Sequence, residues 1–287
     1  MTKGSTEIIR PFLRWPGGKQ WLATRLSKLV PKKCRTYFEP FIGGGSLFFV
    51  SRPKYAKLGD LNERLIETYI AVRDRPLDVL QALSEWPNSK EIYYKIRSQV
   101  FGDNIRRAAQ TIYLSKTCWN GLYRVNLEGQ FNVPFGNHKR AVYDEKNILD
   151  ASHILQTAEL ISCDFEDTIN SAASEDFVYI DPPYTVLHSK NGFRQYNDRL
   201  FSWNDQIRLA RVAHKLLEKG CSVVVSNANH PEVIKLYHGF KYYKLSRHSI
   251  LAADPLRRCK THEALFISFQ GSELDNLLDK EPLNNDY

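Results

Sequence analysis

Five short apolar runs, each closed by a polar or glycine-containing turn, limit what this chain can fold into. They cover residues 36–40, 56–60, 159–164, 177–181 and 221–226. Their length and their content of Val, Ile, Phe and Tyr read as buried strands. Helical patterns lie between several of them, as at 204–217, where Ile207, Ala210, Leu216 and Leu217 take apolar positions. Strand alternating with helix predicts an open α/β sheet of parallel strands, and right-handed crossovers then bring the strands' carboxyl ends to one edge. Two last runs, 241–245 and 264–269, read as a strand pair that closes the sheet.

Residues 61–142 break the alternation. Helical patterns follow one another at 63–73, 77–86, 91–100 and 105–118, and 121–136 then has extended character around Leu127-Glu128-Gly129-Gln130, which predicts a β-hairpin. The 287 residues are long for one domain and short for two independent ones. The expectation is a discontinuous sheet domain of 1–61 and 143–270, an inserted helical domain of 62–142 with its hairpin near 119–136, and a disordered acidic tail at 271–287.

The formal charge of +8 hides an asymmetry. The tail holds Glu273, Asp275, Asp279, Glu281 and Asp286 against Lys280, a net of −4, so the rest of the chain carries +12. Within 90–140, nine basic residues (Lys90, Lys95, Arg97, Arg106, Arg107, Lys116, Arg124, Lys139, Arg140) face Glu91, Asp103 and Glu128, a local +6. Such an excess suits a phosphate-bearing partner or is a solvated face, and charge alone does not choose. Cys34, Cys118, Cys163, Cys221 and Cys259 are scattered without a Cys-x-x-Cys pair, which reads as free thiols in a reducing compartment and argues against a zinc site. No run reaches the roughly 18 uncharged apolar residues of a membrane span, and the first residues lack a secretory apolar run, so a cytoplasmic protein without a membrane partner is expected.

Three motifs end strands. Phe38-Glu39-Pro40-Phe41-Ile42-Gly43-Gly44-Gly45-Ser46 turns on three glycines, where no Cβ blocks a ligand's approach. It is no dinucleotide GxGxxG, since Phe48 stands at the last glycine position. Gly17-Gly18-Lys19 is no P-loop either, with Leu13 at the first glycine position and Gln20 at the Ser/Thr position. The stretch is either a ligand turn or a tight strand-to-helix turn. Asp60, 17 residues beyond Gly43, ends the second run and is either an acceptor for a ribose diol or the N-cap of the next helix. Asp181-Pro182-Pro183-Tyr184 is the sharpest signal. An aromatic amine is a poor nucleophile because its lone pair is delocalised into the ring, and a catalyst should accept hydrogen bonds from both its N–H groups. Asp181 supplies one acceptor. Pro182, held extended by Pro183, can project its carbonyl as the second, and Tyr184 offers a flat face for a base.

From Pro11 to Phe269 the sequence resembles Dam-type DNA adenine-N6 methyltransferases. The resemblance rests on six motifs in order: residues 12–19, 38–46, Asp60-Leu61-Asn62, Asn120-Gly121-Leu122-Tyr123-Arg124, Phe131-Asn132-Val133-Pro134-Phe135-Gly136, and Asp181 to Tyr184. It implies a Rossmann-like methyltransferase sheet with an inserted target-recognition domain, S-adenosylmethionine as cofactor (S-adenosylhomocysteine as product) without a metal, and double-stranded DNA as partner. It also implies that Trp15 and Lys19 help hold the cofactor, together with Glu39, Phe41, Gly43, Gly45 and Ser46 of the glycine turn. Asp60 would bind the ribose, Asp164 and Phe165 would lie by the adenine ring, and Asp181 would sit between donor and base. Simpler alternatives are a packed surface aromatic for Trp15, a solvated charge for Lys19 and a helix cap for Asp164.

The hairpin resembles the family's sequence reader. Arg124 is expected to pair with guanine, Leu122 and Pro134 to pack on a thymine methyl, Trp119 to wedge into the stack, and Asn120 to face the orphaned base. The alternative is that Leu122 and Pro134 shape the hairpin and Trp119 is core. Arg14 stands where a Lys is common and Trp119 where a Tyr is common. Asn137-His138-Lys139-Arg140 departs from the usual Arg after the glycine, leaving Lys139 as the expected phosphate contact. Arg257-Arg258-Cys259-Lys260 is a phosphate contact or a solvated run. The expected reaction transfers a methyl to N6 of a flipped adenine, most simply in GATC, by a protein that is monomeric or weakly dimeric on DNA, with or without a companion restriction endonuclease. Rival readings are another DNA target, an RNA or protein-amide substrate, and a non-catalytic DNA-binding module. Amide-directed pockets usually begin with Asn, and Asp181 disfavours them.

Overall fold

In the computed structural model, residues 9–126, 128–136, 141–185, 201–248 and 260–269 are described; the side chains of 247, 248, 260 and 261 are not. Lys139, the tail 271–287 and the basic run from Arg257 to Cys259 lie outside them. The chain forms two compact units, the first of residues 9–24, Gly43–Arg52 and Asp60–Ser162, the second of Arg25–Ile42, Pro53–Gly59 and the described residues from Cys163 onward.

The second unit is built on strands. β1 (Tyr37–Glu39), β2 (Ala56–Asp60), β4 (Phe177–Ile180), β5 (Ser222–Ala228), β6 (Lys241–His248) and β7 (Lys260–Ile267) run in the order β2-β1-β4-β5-β7-β6. β3 (Ala158–Ser162) belongs to the first unit. β1 is parallel to β2 and β4, and β4 is parallel to β5. β7 returns antiparallel between β5 and β6, so the two last runs do close the sheet. β2 matches the sequence reading at both ends, other strand ends differ from it by up to four residues, and β7 begins at Lys260 rather than 264. Antiparallel pairing with β6, not apolar content, sets that start: Lys260 pairs with His248, and Thr261 with Arg247.

The helices of this unit are α8 (Phe165–Ile169), α9 (Trp203–Glu218) and α10 (Pro231–Leu236). Ser202 and Asp205 cap α9 reciprocally, each side chain accepting from the other residue's backbone N–H. Leu209, Ala213 and Leu216 of α9 join Phe38, Val178, Ile180, Val223 and Val225 in one buried apolar cluster. Asp176, fully buried just before β4, fastens the strand entrances. It accepts from Arg35 Nε at 2.9 Å, Thr36 N at 3.0 Å and Ala173 N at 2.8 Å. Burial pushes its carboxyl up, but the Arg35 guanidinium and these N–H groups outweigh that and hold it below its ordinary value.

The first unit is mostly helical: α1 (Gln20–Leu26) in its greater part, α2 (Ser46–Ser51), α3 (Glu63–Asp74), α4 (Pro76–Ser84), α5 (Lys90–Ser98), α6 (Asn104–Thr117) and α7 (Glu145–Leu155). The four predicted helices of the insertion are α3 to α6. Their starts follow side-chain caps at Asn62, Ser89 and Asp103, with Pro76 at the first turn of α4. Tyr69, Tyr93, Tyr113 and Ile112 are fully buried among them. Cys118 at the end of α6 is buried, which pushes its thiol up to about 12, as befits an incidental thiol.

Gly59 of β2 lies against α8 so closely that a Cβ there would stand 2.1 Å from Thr168 Oγ1 and 2.8 Å from its methyl carbon. Gly59→Ala should therefore lower stability by about 1–3 kcal/mol through overpacking. The same substitution should cost less in a Thr168→Ala background, and urea unfolding of the four proteins of this cycle measures the difference.

Candidate active site

The order β2-β1-β4 reverses the direction of winding at β1 and β4, and crevices outside the carboxyl ends of such neighbours are where open α/β sheets bind ligands. Glu39 is the last residue of β1, Asp60 the last of β2, and Asp181 follows β4 directly. Within the second unit, Glu39 and Asp181 thus stand at the carboxyl ends of two neighbouring parallel strands.

Within the second unit, the Asp181-Pro182-Pro183-Tyr184 turn is braced from behind. Gln206 Nε2 donates to the Pro183 carbonyl at 3.4 Å, and Asn227 Nδ2 donates to Gln206 Oε1 at 2.9 Å. Gln206 and Asn227 are fully buried. The Tyr184 hydroxyl lies 3.0 Å from Ser226 Oγ, 3.1 Å from Glu263 Oε2 and 3.4 Å from Asp181 Oδ1. Burial, then the charges of Asp181 and Glu263, push the tyrosine well above its ordinary value, so it stays protonated. On β1, the Tyr37 hydroxyl donates to the buried Glu39 at 2.6 Å. Burial and the Glu39 charge raise Tyr37 as well.

Asp164 caps α8 through Oδ1, which accepts from Glu166 N at 2.9 Å, so the cap alternative describes one of its oxygens. Its Oδ2 accepts from Arg208 at 2.7 Å. Phe165 is buried, with the Arg208 guanidinium 4.3 Å from its ring centre and the Phe41 ring stacked at 5.5 Å.

The first unit gathers the other expected residues. Gly18 N donates to Trp15 O at 3.2 Å, closing a turn with Gly17 at φ +79°. Lys19 is only 4% exposed, so it is no solvated charge, and its Nζ donates to Gly17 O at 3.3 Å. Gly43 has φ +46°, and a Cβ on it would stand 2.8 Å from Trp15 Cδ1. Gly45, at φ +66°, precedes α2, whose first residue, Ser46, is buried. Asp60 is no helix cap: Asn62 caps α3, accepting from Leu65 N. Asp60 instead accepts from Gly43 N at 3.1 Å and Asn62 N at 3.0 Å. Burial pushes its carboxyl up to about 6, against those two hydrogen bonds.

The predicted hairpin is a chain reversal held by single bridges rather than a continuous ladder. Val125 bridges Phe131, Cys118 bridges Phe135, and Trp119 N donates to Pro134 O at 2.8 Å. Backbone bonds from Asn126 N to Gln130 O at 2.9 Å and from Asn132 N to Arg124 O at 3.1 Å flank the first bridge, and the Asn126 side chain accepts from the backbone of Glu128 and Gln130. This reversal brings Trp119, Asn120, Leu122, Arg124 and Pro134 into one segment, with Arg14 packed so close to Gly121 that a Cβ there would meet its Cδ at 2.9 Å. Trp119 is 41% exposed and therefore not core. Asn120, Arg124 and Pro134 are exposed as well, and Arg124 Nε donates to Asn132 Oδ1 at 2.7 Å.

Sequence reasoning passed over Tyr123, whose ring stacks on Trp15 at 4.4 Å, although it lies inside a recognised motif. It also passed over Ser226 and Glu263, where no local pattern distinguishes them from strand residues.

The sequence is similar to known DNA methyltransferases. The family described as D12 class N6 adenine-specific DNA methyltransferase matches residues 15–249. A Type II methyltransferase of Lactococcus lactis subsp. cremoris, M1.LlaDCHI, is 36% identical, covering 91% of this chain and 96% of its own. A second, M.MjaIII of Methanocaldococcus jannaschii, is 34% identical over 91% of this chain and 99% of its own. A DNA adenine methylase of Vibrio cholerae is 32% identical over 89% and 95%.

The Asp60 carboxyl should titrate near pH 6. Raised from the ordinary 3.8, it keeps its proton in the folded chain through a window in which the unfolded chain has lost it. Its contribution to stability should therefore be lost as pH rises through that window, the reverse of a salt-bridged carboxylate. Carbon NMR of labelled aspartate checks the midpoint, and a value below about 4.5 would show that burial does not govern this group.

Proposed function

The chain belongs to the D12 class of N6 adenine-specific DNA methyltransferases, and from that premise we propose that it methylates the adenine of GATC in duplex DNA after turning that base out of the helix. The family implies S-adenosylmethionine as methyl donor and DNA as substrate. The donor, when bound, supplies a methyl group activated by its sulfonium charge. The residues fit such a ligand: Asp60 is a partly buried carboxylate anchored by two backbone N–H groups, on a turn where Gly43 lets the Trp15 indole pack against the backbone.

Asp60 would accept the ribose hydroxyls. Lys19, Trp15, Glu39, Phe41, Gly43, Gly45 and Ser46 would shape the rest of the cofactor site, with Asp164 and Phe165 toward the adenine. Asp181 and the Pro182 carbonyl would accept the two N–H groups of the target amine, aiming its lone pair, while Pro183 and Tyr184 hold and face the base. Trp119 would take the space left by the flipped base and Asn120 would face its orphaned partner. Arg124 and Arg14 would read guanines, and Leu122 and Pro134 the thymine methyl. The observation that carries this reading is the placement of Asp181 beside β1 at the reversal of strand order, with its turn braced by Gln206 and Asn227.

Asp181→Ala should slow methyl transfer by roughly 10²-fold or more, while DNA binding stays near wild type, because it removes a positioned acceptor at the reacting amine. Tritiated methyl transfer with a parallel DNA-binding assay measures both, and retention of more than about a tenth of the rate would refute the assignment. Donor affinity should weaken about tenfold per pH unit below about 6, since the Asp60 acceptor must be ionised.

Sequencing methylated adenines after expression in a methylation-free host tests the GATC reading. Arg124→Ala should relax preference at the outer base pair by about 1–3 kcal/mol, roughly 5- to 150-fold, while GATC remains a substrate.

A further inference from the structure

Glu263 is a carboxylate only 4% exposed, placed in β7 opposite Ala228 of β5. Burying such a group costs free energy that an apolar residue would not, so its presence calls for a partner that needs it. That partner is the Tyr184 hydroxyl at 3.1 Å. A tyrosine hydroxyl has one proton to give, and here it lies between two carboxylates and one serine hydroxyl. Ser226, at 3.0 Å, is able to donate to it. The two carboxylates are acceptors only and compete for the single tyrosine proton. Glu263 stands closer than Asp181, at 3.1 against 3.4 Å.

We propose that Glu263 is a positioning residue: it takes the Tyr184 hydroxyl proton and so turns that donor away from the Asp181 carboxylate that accepts the target amine. A hydrogen bond donated to Asp181 would draw charge from its oxygens and weaken them as acceptors for the amine. Glu263 thus acts through Tyr184 on the strength of Asp181, without touching the base. This inference rests on the reading of Asp181 as the acceptor for the adenine amine.

The test is the single-turnover rate of methyl transfer in preformed complexes of enzyme, GATC duplex and S-adenosylmethionine. Glu263→Gln keeps a carbonyl oxygen for the tyrosine proton and should stay within about threefold of wild type. Glu263→Leu removes the acceptor, so the hydroxyl should swing to Asp181 and slow transfer by about tenfold or more, with donor and DNA dissociation constants changed less than about twofold. Adding Tyr184→Phe to Glu263→Leu removes the misdirected donor and should raise the rate at least about threefold above that of Glu263→Leu alone. A merely structural role would not give this rescue. The inference is overturned by a Glu263→Leu protein as fast as wild type, or by a double variant no faster than the single one. If Glu263→Leu does not fold, Glu263→Gln decides, and a tenfold loss in the folded protein overturns the inference. Failure of the underlying reading is separate: it would show as wild-type rates in Asp181→Ala.

Discussion

The buried carboxylate of Asp176 does for the second unit what no apolar contact can: it fixes two strands lengthwise. Apolar packing is non-directional and tolerates sliding, whereas a carboxylate accepting from Arg35, Thr36 N and Ala173 N has one position in which all three bonds form. Arg35 and Thr36 lead directly into β1, and Asp176 leads directly into β4. The register that pairs Phe38 with Val178 follows, and with it the positions of Glu39, one residue farther along β1, and Asp181, three residues beyond Val178. A shift of one residue would send Asp181 to the opposite face of the sheet.

What stands at those far ends is a cluster of charge and hydroxyl groups inside an otherwise apolar sheet. Glu39 with Tyr37, and Asp181 with Tyr184, Ser226 and Glu263, are each bonded in ways that leave few geometries open. Such a network is costly to bury and rigid once satisfied. Under the proposed function such rigidity serves a weak nucleophile, because much of the acceleration would come from holding reactants in line rather than from proton transfer. The brace of Gln206 and Asn227 behind Pro183 fixes the turn that follows β4.

In the first unit, Trp15 links two motifs that are far apart in sequence. Its indole fills the space over Gly43 and stacks on Tyr123 of the chain reversal. A side chain on Gly43 would displace the indole, and loss of Tyr123 would remove its support. The glycine turn and the exposed segment with Trp119 and Arg124 are therefore held by one aromatic stack, and Arg14, next in sequence to Trp15, packs on Gly121 beside it.

Strand and helix order, the glycine turn and the acidic residues at strand ends were legible in the sequence because each depends on neighbours a few positions away. Periodicity and proline restriction at Asp181-Pro182-Pro183 are local effects. The sequence offered Asp60 as a possible helix cap, and tertiary structure removed that reading: Asn62 takes the cap, and Asp60 turns to Gly43, 17 residues back. Burial of Lys19, exposure of Trp119 and the stacking of Tyr123 on Trp15 were likewise decided only by packing. Glu263 is the extreme case. It meets Tyr184 across 79 residues because β7 turns back antiparallel beside β5, and no local pattern encodes which strand a returning chain will choose. Local rules determined which residues could do chemistry, and long-range pairing decided which of them meet.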